Sequence, residues 1–349
     1  MKEKRLMIIH NGPLGSLTDS YKWCEFLKER YDITYIELGD AGGMPLEGIK
    51  RVRVSNRGSR LFRGIRYLLV CCLYILFFRG TIIVVYFRGC KLFKYLFPWK
   101  KFLLDIRTLS VKKKPEERQL ENEQLRKACN LYGRISIIQE ELLDELKVNV
   151  EHHYLPLGAD VISQTTKKYD SIKLLYVGTL EGRRIEETIK GLYLFLTKRP
   201  NVTITYDIIG EGFNDTSEKL RKVVDSLHLS KVVTIHGRKS YSDLKPFFDL
   251  CNVGVSYIPI TPWYDHQPPT KTFEYVMSGL FCIATFTSEN KKIINTNNGI
   301  LHEDNPDGFA NALESLYKSK HNINFSLVKQ SIPNCSWEYI VNNYLLPLL

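Results

Sequence analysis

The chain reads YVGTLEGRRI at residues 176–185, where a short apolar run ends in a glycine and a second glycine precedes two arginines. This order is typical of a buried strand that passes through a tight turn into a helix. Such a turn presents backbone N–H groups to an anion, and guanidinium groups can bind phosphate oxygens in pairs. We therefore predict a diphosphate site at Gly178, Thr179, Arg183 and Arg184. The alternative is an ordinary strand-to-helix connection with solvated arginines.

Short apolar strands alternate with helical segments along the whole chain. The pattern predicts strands at 6–10, 33–37, 82–86, 102–105, 135–138, 173–177, 203–209, 233–236, 253–256 and 281–284. It predicts helices at about 17–30, 61–78, 115–130, 140–147, 185–198, 214–228, 241–249, 270–279 and 306–318. This order indicates an α/β protein with parallel sheets that helices cover on both faces.

A break in the pattern indicates where the chain divides. The periodicity stops at residues 154–160, and the polar stretch 163–168 precedes the next strand. We predict two Rossmann-like, doubly wound domains, residues 1–160 and 161–335, facing across a cleft. Ligands of such sheets bind beyond the carboxyl ends of the strands, so the ligand site is expected between the domains.

Two further motifs in the second half suit a nucleotide. Gly210 and Gly212 form a G-x-G after a strand, but Asp215 stands where a dinucleotide fingerprint has its third glycine. At residues 268–280 the sequence PPTKTFEYVMSGL predicts a helix capped by Thr270. Glu274, one turn inside, can accept hydrogen bonds from two vicinal hydroxyls of a ribose. Alternatively, Glu274 and Lys271 simply pair on the surface.

In their order and spacing, these motifs resemble the family 4 retaining glycosyltransferases, which have the two-domain GT-B fold. The resemblance extends from YLPLGAD at 154–160, through Gly178, GEG at 210–212 and HGR at 236–238, to PTKTFEYVMSG at 269–279. SWE at 336–338 resembles the closing helix of the family, which crosses back to the first domain. Residues 336–349 are therefore expected to pack on the N-terminal domain.

The resemblance implies a function and a set of site residues. The protein is expected to transfer a sugar, with retention of anomeric configuration, from a nucleotide-diphosphate-sugar to a lipid-linked or polysaccharide acceptor. Glu274 is expected to bind the donor ribose, Arg184 to occupy the basic catalytic position at the diphosphate, and Gly210 and Gly212 to line the base pocket. Arg238, within the HGR motif, and Thr270 are expected on the donor side.

Two positions depart from the family pattern. Thr179 stands where the family often has a phosphate-binding arginine, so Arg183 or Lys271 is expected to compensate. His266, beside Asp265, stands where the family has a second glutamate that contacts the transferred sugar. These departures leave open a catalytically silent GT-B homologue that acts as a membrane-associated partner subunit. A GT-B nucleotide-sugar epimerase or phosphorylase is the enzymatic alternative.

On the N-terminal side, Gly12 and Gly15 resemble the first loop of the family, which faces the acceptor. Asp105 and Arg107 follow a predicted strand where many relatives place a catalytic-side histidine, and they are candidate catalytic residues. A buried structural ion pair is the alternative. The sequence has no D-x-D and no His/Cys cluster with zinc spacing, so we predict neither a metal site nor a cofactor besides the donor substrate.

The charge distribution predicts an anionic partner. The net charge is +11, and between Glu47 and Asp105 thirteen Lys or Arg occur without an acidic residue. The uncharged run 67–78 is shorter than the ~20 residues of a membrane span, so it is expected to pack in a core or dip into an interface. The segment shows no RNA-binding signature, which argues against nucleic acid.

We predict that this segment docks on an anionic membrane, and the alternative is a solvated basic face over a buried helix. The expected contact residues are Arg57, Arg60, Arg63, Arg66, Lys91, Lys94, Lys100 and Lys101, interleaved with Phe93, Tyr95, Phe97 and Trp99. Eight cysteines without a C-x-x-C pair favour a reducing compartment. A cytoplasmic protein, peripherally associated with the membrane, is therefore expected.

Overall fold

A computed structural model describes residues 4–40, 43–112, 114–213 and 215–349 of the 349-residue chain. The chain divides into two compact units. Unit 1 comprises Met1–Gly158 and Trp337–Leu349, and unit 2 comprises Ala159–Ser336. The last residues therefore belong to the first unit.

Unit 1 is built on a seven-stranded parallel sheet with the strand order β3-β2-β1-β4-β5-β6-β7. Its strands are β1 (Lys4–His10), β2 (Tyr31–Leu38), β3 (Lys50–Val54), β4 (Thr81–Val85), β5 (Phe102–Ile106), β6 (Arg134–Ile137) and β7 (Glu151–Tyr154). Its first five helices are α1 (Thr18–Leu27), α2 (Arg60–Phe77), α3 (Lys91–Leu96), α4 (Pro115–Tyr132) and α5 (Glu141–Leu146).

Unit 2 is built on a six-stranded parallel sheet with the order β10-β9-β8-β11-β12-β13. Its strands are β8 (Ile172–Val177), β9 (Ile204–Ile209), β10 (Val233–Gly237), β11 (Val253–Ser256), β12 (Phe281–Thr285) and β13 (Gly299–His302). Its helices are α6 (Glu186–Lys198), α7 (Thr216–Ser226), α8 (Lys245–Leu250), α9 (Thr270–Met277), α10 (Ser288–Ile293), α11 (Pro306–Ser319) and α12 (Phe325–Gln330). The chain then returns to unit 1 as α13 (Trp337–Ile340) and two further helical turns, Val341–Leu345 and Leu346–Leu348.

Central strands such as β4, β5, β11 and β12 are mainly apolar and fully buried because both of their faces are covered, whereas the edge strands β3 and β7 carry polar, partly exposed residues. In unit 1, Leu6 and Ile8 of β1 pack in one cluster with Trp23 of α1 and with Val341 and Leu345 near the end of the chain. In both sheets the strand order reverses beside the first strand of the unit. Beyond the carboxyl ends of the strands, such a reversal leaves a crevice that ligands occupy in doubly wound sheets.

The ten predicted strands are confirmed, with small shifts of their ends, and the short edge elements were missed. The predictions omit the strands β3, β7 and β13, of four or five residues, and the helices α3, α10 and α12, of six. Such elements are too short to show a period. The predicted helix 241–249 is a 3₁₀ turn, Tyr241–Leu244, followed by α8. The helix predicted from 214 begins at Thr216, and Asn214 lies outside the described residues.

No helix in the described part of the chain is long and apolar enough to cross a membrane.

Two histidines, the half-buried His10 and the buried His302, make stability depend on pH. Burial lowers the pKa of both His10, in unit 1, and His302, in unit 2, to about 4. Nε2 of His302 has no hydrogen-bond partner among the described residues, while Nδ1 lies 2.7 Å from the carbonyl oxygen of Glu303. Protonation would therefore bury an uncompensated charge.

Because the folded-state pKa lies below the unfolded value of 6.5, the contribution of each histidine is complete above pH 6.5 and is lost as the pH falls toward 4. We expect each to remove about 3 kcal/mol of unfolding free energy over this range. Urea unfolding at several pH values measures this loss, and His302→Gln should reduce the slope of unfolding free energy against pH. An unchanged slope in His302→Gln would contradict the assignment.

Candidate functional site

Three glycine-containing turns lie side by side at the carboxyl edge of the sheet in unit 2. Gly178 follows β8, Gly210 follows β9, and Gly237 ends β10. The N–H of Gly178 donates to the carbonyl of Ile209 at 3.0 Å, and the N–H of Gly210 donates to the carbonyl of Gly237 at 3.0 Å. A Cβ on Gly210 would lie 1.9 Å from the carbonyl oxygen of Gly178, so only glycine allows these turns to approach so closely.

The turns form one wall of a cavity of about 670 Å³. Six of the residues predicted for the donor site line it: Gly178, Thr179, Gly210, Gly212, Arg238 and Lys271. Sequence reasoning missed Phe213, Lys239 and Tyr241, which line it as well. Three cations and one acidic side chain, Glu211, line the cavity, so it favours an anionic ligand.

Glu274 lies behind this wall and organises two of its residues. The side chain is 1% exposed and accepts from Nζ of Lys271 at 2.6 Å and from the Tyr241 hydroxyl at 3.3 Å. The same hydroxyl lies 2.9 Å from a carboxylate oxygen of Asp160. Burial raises the pKa of Glu274, and Lys271 opposes that rise. The pair of Glu274 with Lys271 is therefore present, but it lies against the cavity rather than on an open surface.

The two arginines of the first motif do not line this cavity. Arg183 lies over the ring of Tyr264 at 4.3 Å, and its buried Nη1 has no hydrogen-bond partner among the described residues. Arg184 has a left-handed backbone, with φ of 55°, and pairs with Asp304 at 3.4 Å. Nη1 of Arg183 is thus available as a hydrogen-bond donor, whereas Asp304 partly neutralises the charge of Arg184.

The predicted cap at Thr270 is wrong. Helix α9 begins at Thr270, its N-cap is Pro269, and no side chain caps it. The reason is local: Thr270 already has helical geometry, so its hydroxyl cannot reach the free N–H groups of the first turn. His266 is exposed, 3.7 Å from the carboxylate of Asp265, which in turn accepts from the N–H of Ser288 at 2.9 Å. Neither Thr270 nor His266 is part of the cavity wall described above.

Asp105 and Arg107 form a buried network inside unit 1. Arg107 pairs with Asp105 at 2.8 Å and with Asp19 at 3.0 Å, and its guanidinium lies 4.7 Å from the ring centroid of Trp23. Asp105 also accepts from Ser136 at 2.8 Å. Nη2 of Arg107 and Oδ1 of Asp19 are buried without a hydrogen-bond partner among the described residues. The contacts are those of a buried ion pair, and the catalytic role of Asp105 and Arg107 stays a prediction.

Gly12 and Gly15 lie in the loop between β1 and α1. A side chain at Gly12 would meet Ser16 at 2.7 Å, and Gly15 has φ of +91°. Between them, the N–H of Leu14 donates to the carboxylate of Glu37 at 2.6 Å, which fixes the loop on β2. Their proposed acceptor-side role stays a prediction.

Comparisons with known proteins agree with this geometry. Residues 171–319 match the family model described as Glycosyl transferases group 1. No curated protein sequence gives a significant match to the chain.

Among solved structures, sucrose-phosphate synthase from Thermosynechococcus elongatus is similar with a TM-score of 0.75 at 14% identity, over 97% of both chains. Anabaena Alr3699/HepE in complex with UDP and glucose has a TM-score of 0.69 at 11% identity, over 99% of this chain and 97% of that one. The lipopolysaccharide outer core galactosyltransferase WaaB has a TM-score of 0.68 at 15% identity, over 99% of this chain and 100% of that one. The fold is thus that of GT-B glycosyltransferases, and the cavity lies within the segment that matches the family model.

Proposed function

We propose that the protein is a retaining glycosyltransferase that uses a nucleotide-diphosphate-sugar. The observation that carries the proposal is the cavity of unit 2, which Gly178, Gly210 and Gly212 line together with Arg238, Lys239 and Lys271. The same residues fall in the segment that matches Glycosyl transferases group 1. A neutral ligand would not need three cations at such a turn, whereas a diphosphate would.

The residues suggest a division of roles. The glycine turns allow a base and a ribose to approach the backbone closely. Phe213, 76% exposed at the rim, offers a flat apolar surface to the base. Glu274 binds the ribose or holds Lys271 in place for the diphosphate. As the sugar leaves, fixed cations stabilise the charge that develops on the diphosphate without reorganisation.

The ligand and the activity named for two similar structures support the proposed donor and acceptor. HepE was solved with UDP and glucose, which supports a nucleotide-sugar donor here. WaaB is described as a lipopolysaccharide galactosyltransferase, which supports an acceptor that is a glycan or is carried on a lipid. We extend this to a cytoplasmic enzyme that works peripherally at a membrane.

A thermal-shift screen of nucleotides and nucleotide sugars tests the donor proposal. A ligand at 100 times its dissociation constant should stabilise unit 2 by about 2.7 kcal/mol. Transfer is then measured with the best donor, with and without added acceptor. Turnover that needs no acceptor would indicate an epimerase, and binding without turnover under any acceptor would favour the silent partner subunit.

Chelation is expected to leave most transferase activity intact. No group of three or more His, Cys, Asp or Glu in the described ranges is placed to hold a metal ion. The cations that line the cavity are arginine and lysine, so the diphosphate charge is expected to be balanced without Mg²⁺. Activity with EDTA, compared with EDTA plus excess Mg²⁺, measures this. Complete loss that Mg²⁺ restores would contradict the proposed diphosphate site.

A further inference from the structure

Helix α2 carries an apolar stripe on its exposed face. Phe62, Ile65, Leu69, Leu73 and Leu76 recur at three- and four-residue spacing, and each is between 47% and 70% exposed. The opposite face, with Tyr67, Cys71 and Ile75, is buried. The helix is therefore apolar all round over its second half, although only one of its faces is buried by residues that the structure describes.

Comparison with helix α4 of the same unit shows that the exposed apolar stripe of α2 is unusual. Both helices have 18 residues, but the exposed residues of α4 are mainly charged or polar, with Leu120 as an exception. An ordinary surface helix keeps polar residues toward water, as α4 does. Five large apolar side chains along one exposed helix face instead indicate a surface that another molecule covers.

A basic cleft lies at the C-terminal end of this stripe, and Lys100 links the two. Nζ of Lys100 donates to the carbonyls of Leu76 and Phe78, which end α2. The cleft has a volume of about 540 Å³ at the amino-terminal ends of β1 and β4. Among the residues that the structure describes, five cationic side chains line it, Lys4, Arg5, Arg79, Lys100 and Lys101, and no acidic one does.

The cleft retains free positive charge. Arg79 is exposed and makes no ion pair or hydrogen bond with the residues that the structure describes. Arg5 pairs only loosely with Asp32, at 3.7 Å. Trp99, 70% exposed, lies at the rim beside these cations. An indole next to a basic cleft suits the interface between lipid headgroups and acyl chains.

The charge of the surrounding segment decides between the possible occupants. Residues 48–104 contain thirteen Lys or Arg and no Asp or Glu. A second copy of this chain would bring the same cations to the same face, and the two faces would repel each other. An anionic lipid surface offers both an apolar layer for the stripe and negative headgroups for the cleft.

We propose that α2 lies in the surface of an anionic membrane, with its apolar stripe among the acyl chains and a phosphate headgroup in the cleft at its end. The proposal rests on the proposed function in one respect, the membrane as partner. It also relocates the docking surface predicted from sequence. Phe93 and Phe97 are buried, and the guanidinium of Arg66 donates to the carbonyls of Ser55 and Arg57, so these three do not face a membrane.

Vesicle co-sedimentation of the full chain tests the proposal. Phosphatidylcholine vesicles are compared with vesicles that also contain phosphatidylglycerol, at low and high salt. Binding is expected only with phosphatidylglycerol and is expected to fall with salt. The stripe variant, Leu69→Gln with Leu73→Gln, should lose at least about tenfold in vesicle affinity. The cleft variant, Lys4→Gln with Arg79→Gln, should lose about fivefold for each cation removed.

Matched variants on unit 2 serve as controls. Leu250→Gln with Leu327→Gln removes two exposed leucines, and Lys198→Gln with Lys231→Gln removes two exposed cations. Both should bind vesicles as the unchanged protein does. Nucleotide binding, measured on every variant by thermal shift, should stay constant, so failure of the donor proposal is seen separately from failure of the membrane proposal.

Fluorescence adds a direct measure of insertion. Trp23 and Trp337 are buried and Trp263 is partly buried, so Trp99 should dominate any change on binding. Its emission should shift to the blue with anionic vesicles, and Trp99→Phe should abolish the shift. Equal binding to neutral vesicles, normal binding by either variant, or a dimer that the stripe variant dissociates would each overturn the proposal.

Discussion

Glu274→Gln is expected to lower the affinity for the nucleotide donor by about 10- to 100-fold. Glutamine keeps the shape of the side chain and a bond to Tyr241, but it loses the charge-assisted bond with Lys271 at 2.6 Å and the acceptor strength that a ribose requires. Loss of such bonds costs about 1.5–3 kcal/mol. Isothermal titration with the donor found by thermal shift measures the change.

Glu314→Gln is the matched control for this substitution. Glu314 also pairs with a cation in unit 2, Arg199, at 2.7 Å, but Arg199 does not line the cavity, whereas Lys271, the partner of Glu274, does. The control should bind the donor normally. The apo form of Glu274→Gln should unfold at nearly the same temperature as the original protein. Unchanged donor affinity in the folded variant would remove Glu274 from the site.

Arg107→Met is expected to destabilise the protein by about 3–5 kcal/mol, because it leaves Asp19 and Asp105 buried without their cation. In the folded protein, burial raises the pKa of Asp19 and Arg107 limits that rise. Without Arg107 the folded-state pKa rises further above the unfolded value. The stability that protonated Asp19 contributes is then lost as the pH rises, so the destabilisation is larger at pH 7 than in acid.

Urea unfolding at neutral and acidic pH measures both effects. Adding Asp19→Asn and Asp105→Asn to Arg107→Met should recover part of the loss, because the uncompensated charges are then absent. Arg199→Met, which breaks an exposed pair with Glu314, should have a much smaller effect. If Arg107→Met were fully stable but inactive, the catalytic role suggested by the sequence would be supported instead of the structural one.

The parallel sheets and glycine turns could be predicted from the sequence, whereas the ion-pair network of Arg107 could not. The alternation of apolar and helical segments predicted both parallel sheets, because strands buried on both faces leave a continuous apolar signal. The glycine turns were predictable for the same reason, since each directly follows such a strand. Arg107 was not assignable, because its partner Asp19 lies far away in sequence and no local pattern links them.

The wall of the cavity was only partly predictable. Tyr241 reaches both Glu274 and Asp160, which are 33 and 81 residues away, and its own neighbourhood reads as an ordinary helix start. The apolar run at 67–78 was correctly considered too short to span a membrane. Its outward leucines could not be told from core residues, because a helix that is apolar on all sides has the same sequence signature whatever covers it.

The return of the chain to unit 1 makes the order of synthesis matter for folding. Ile340, Val341, Leu345 and Leu348 complete a core whose other buried members all precede unit 2 in the chain. A Cβ on Gly158 would collide with Trp337, so Trp337 packs directly against the backbone of unit 1 although it is synthesised after the whole of unit 2. On the ribosome, the contiguous unit 2 can therefore reach its native state while the earlier-made unit still lacks part of its interior. Arrested nascent chains in which Ser336 is followed by an unstructured linker that fills the exit tunnel should accordingly show a protease-resistant unit 2 beside a sensitive unit 1, and equal resistance of both would contradict this order.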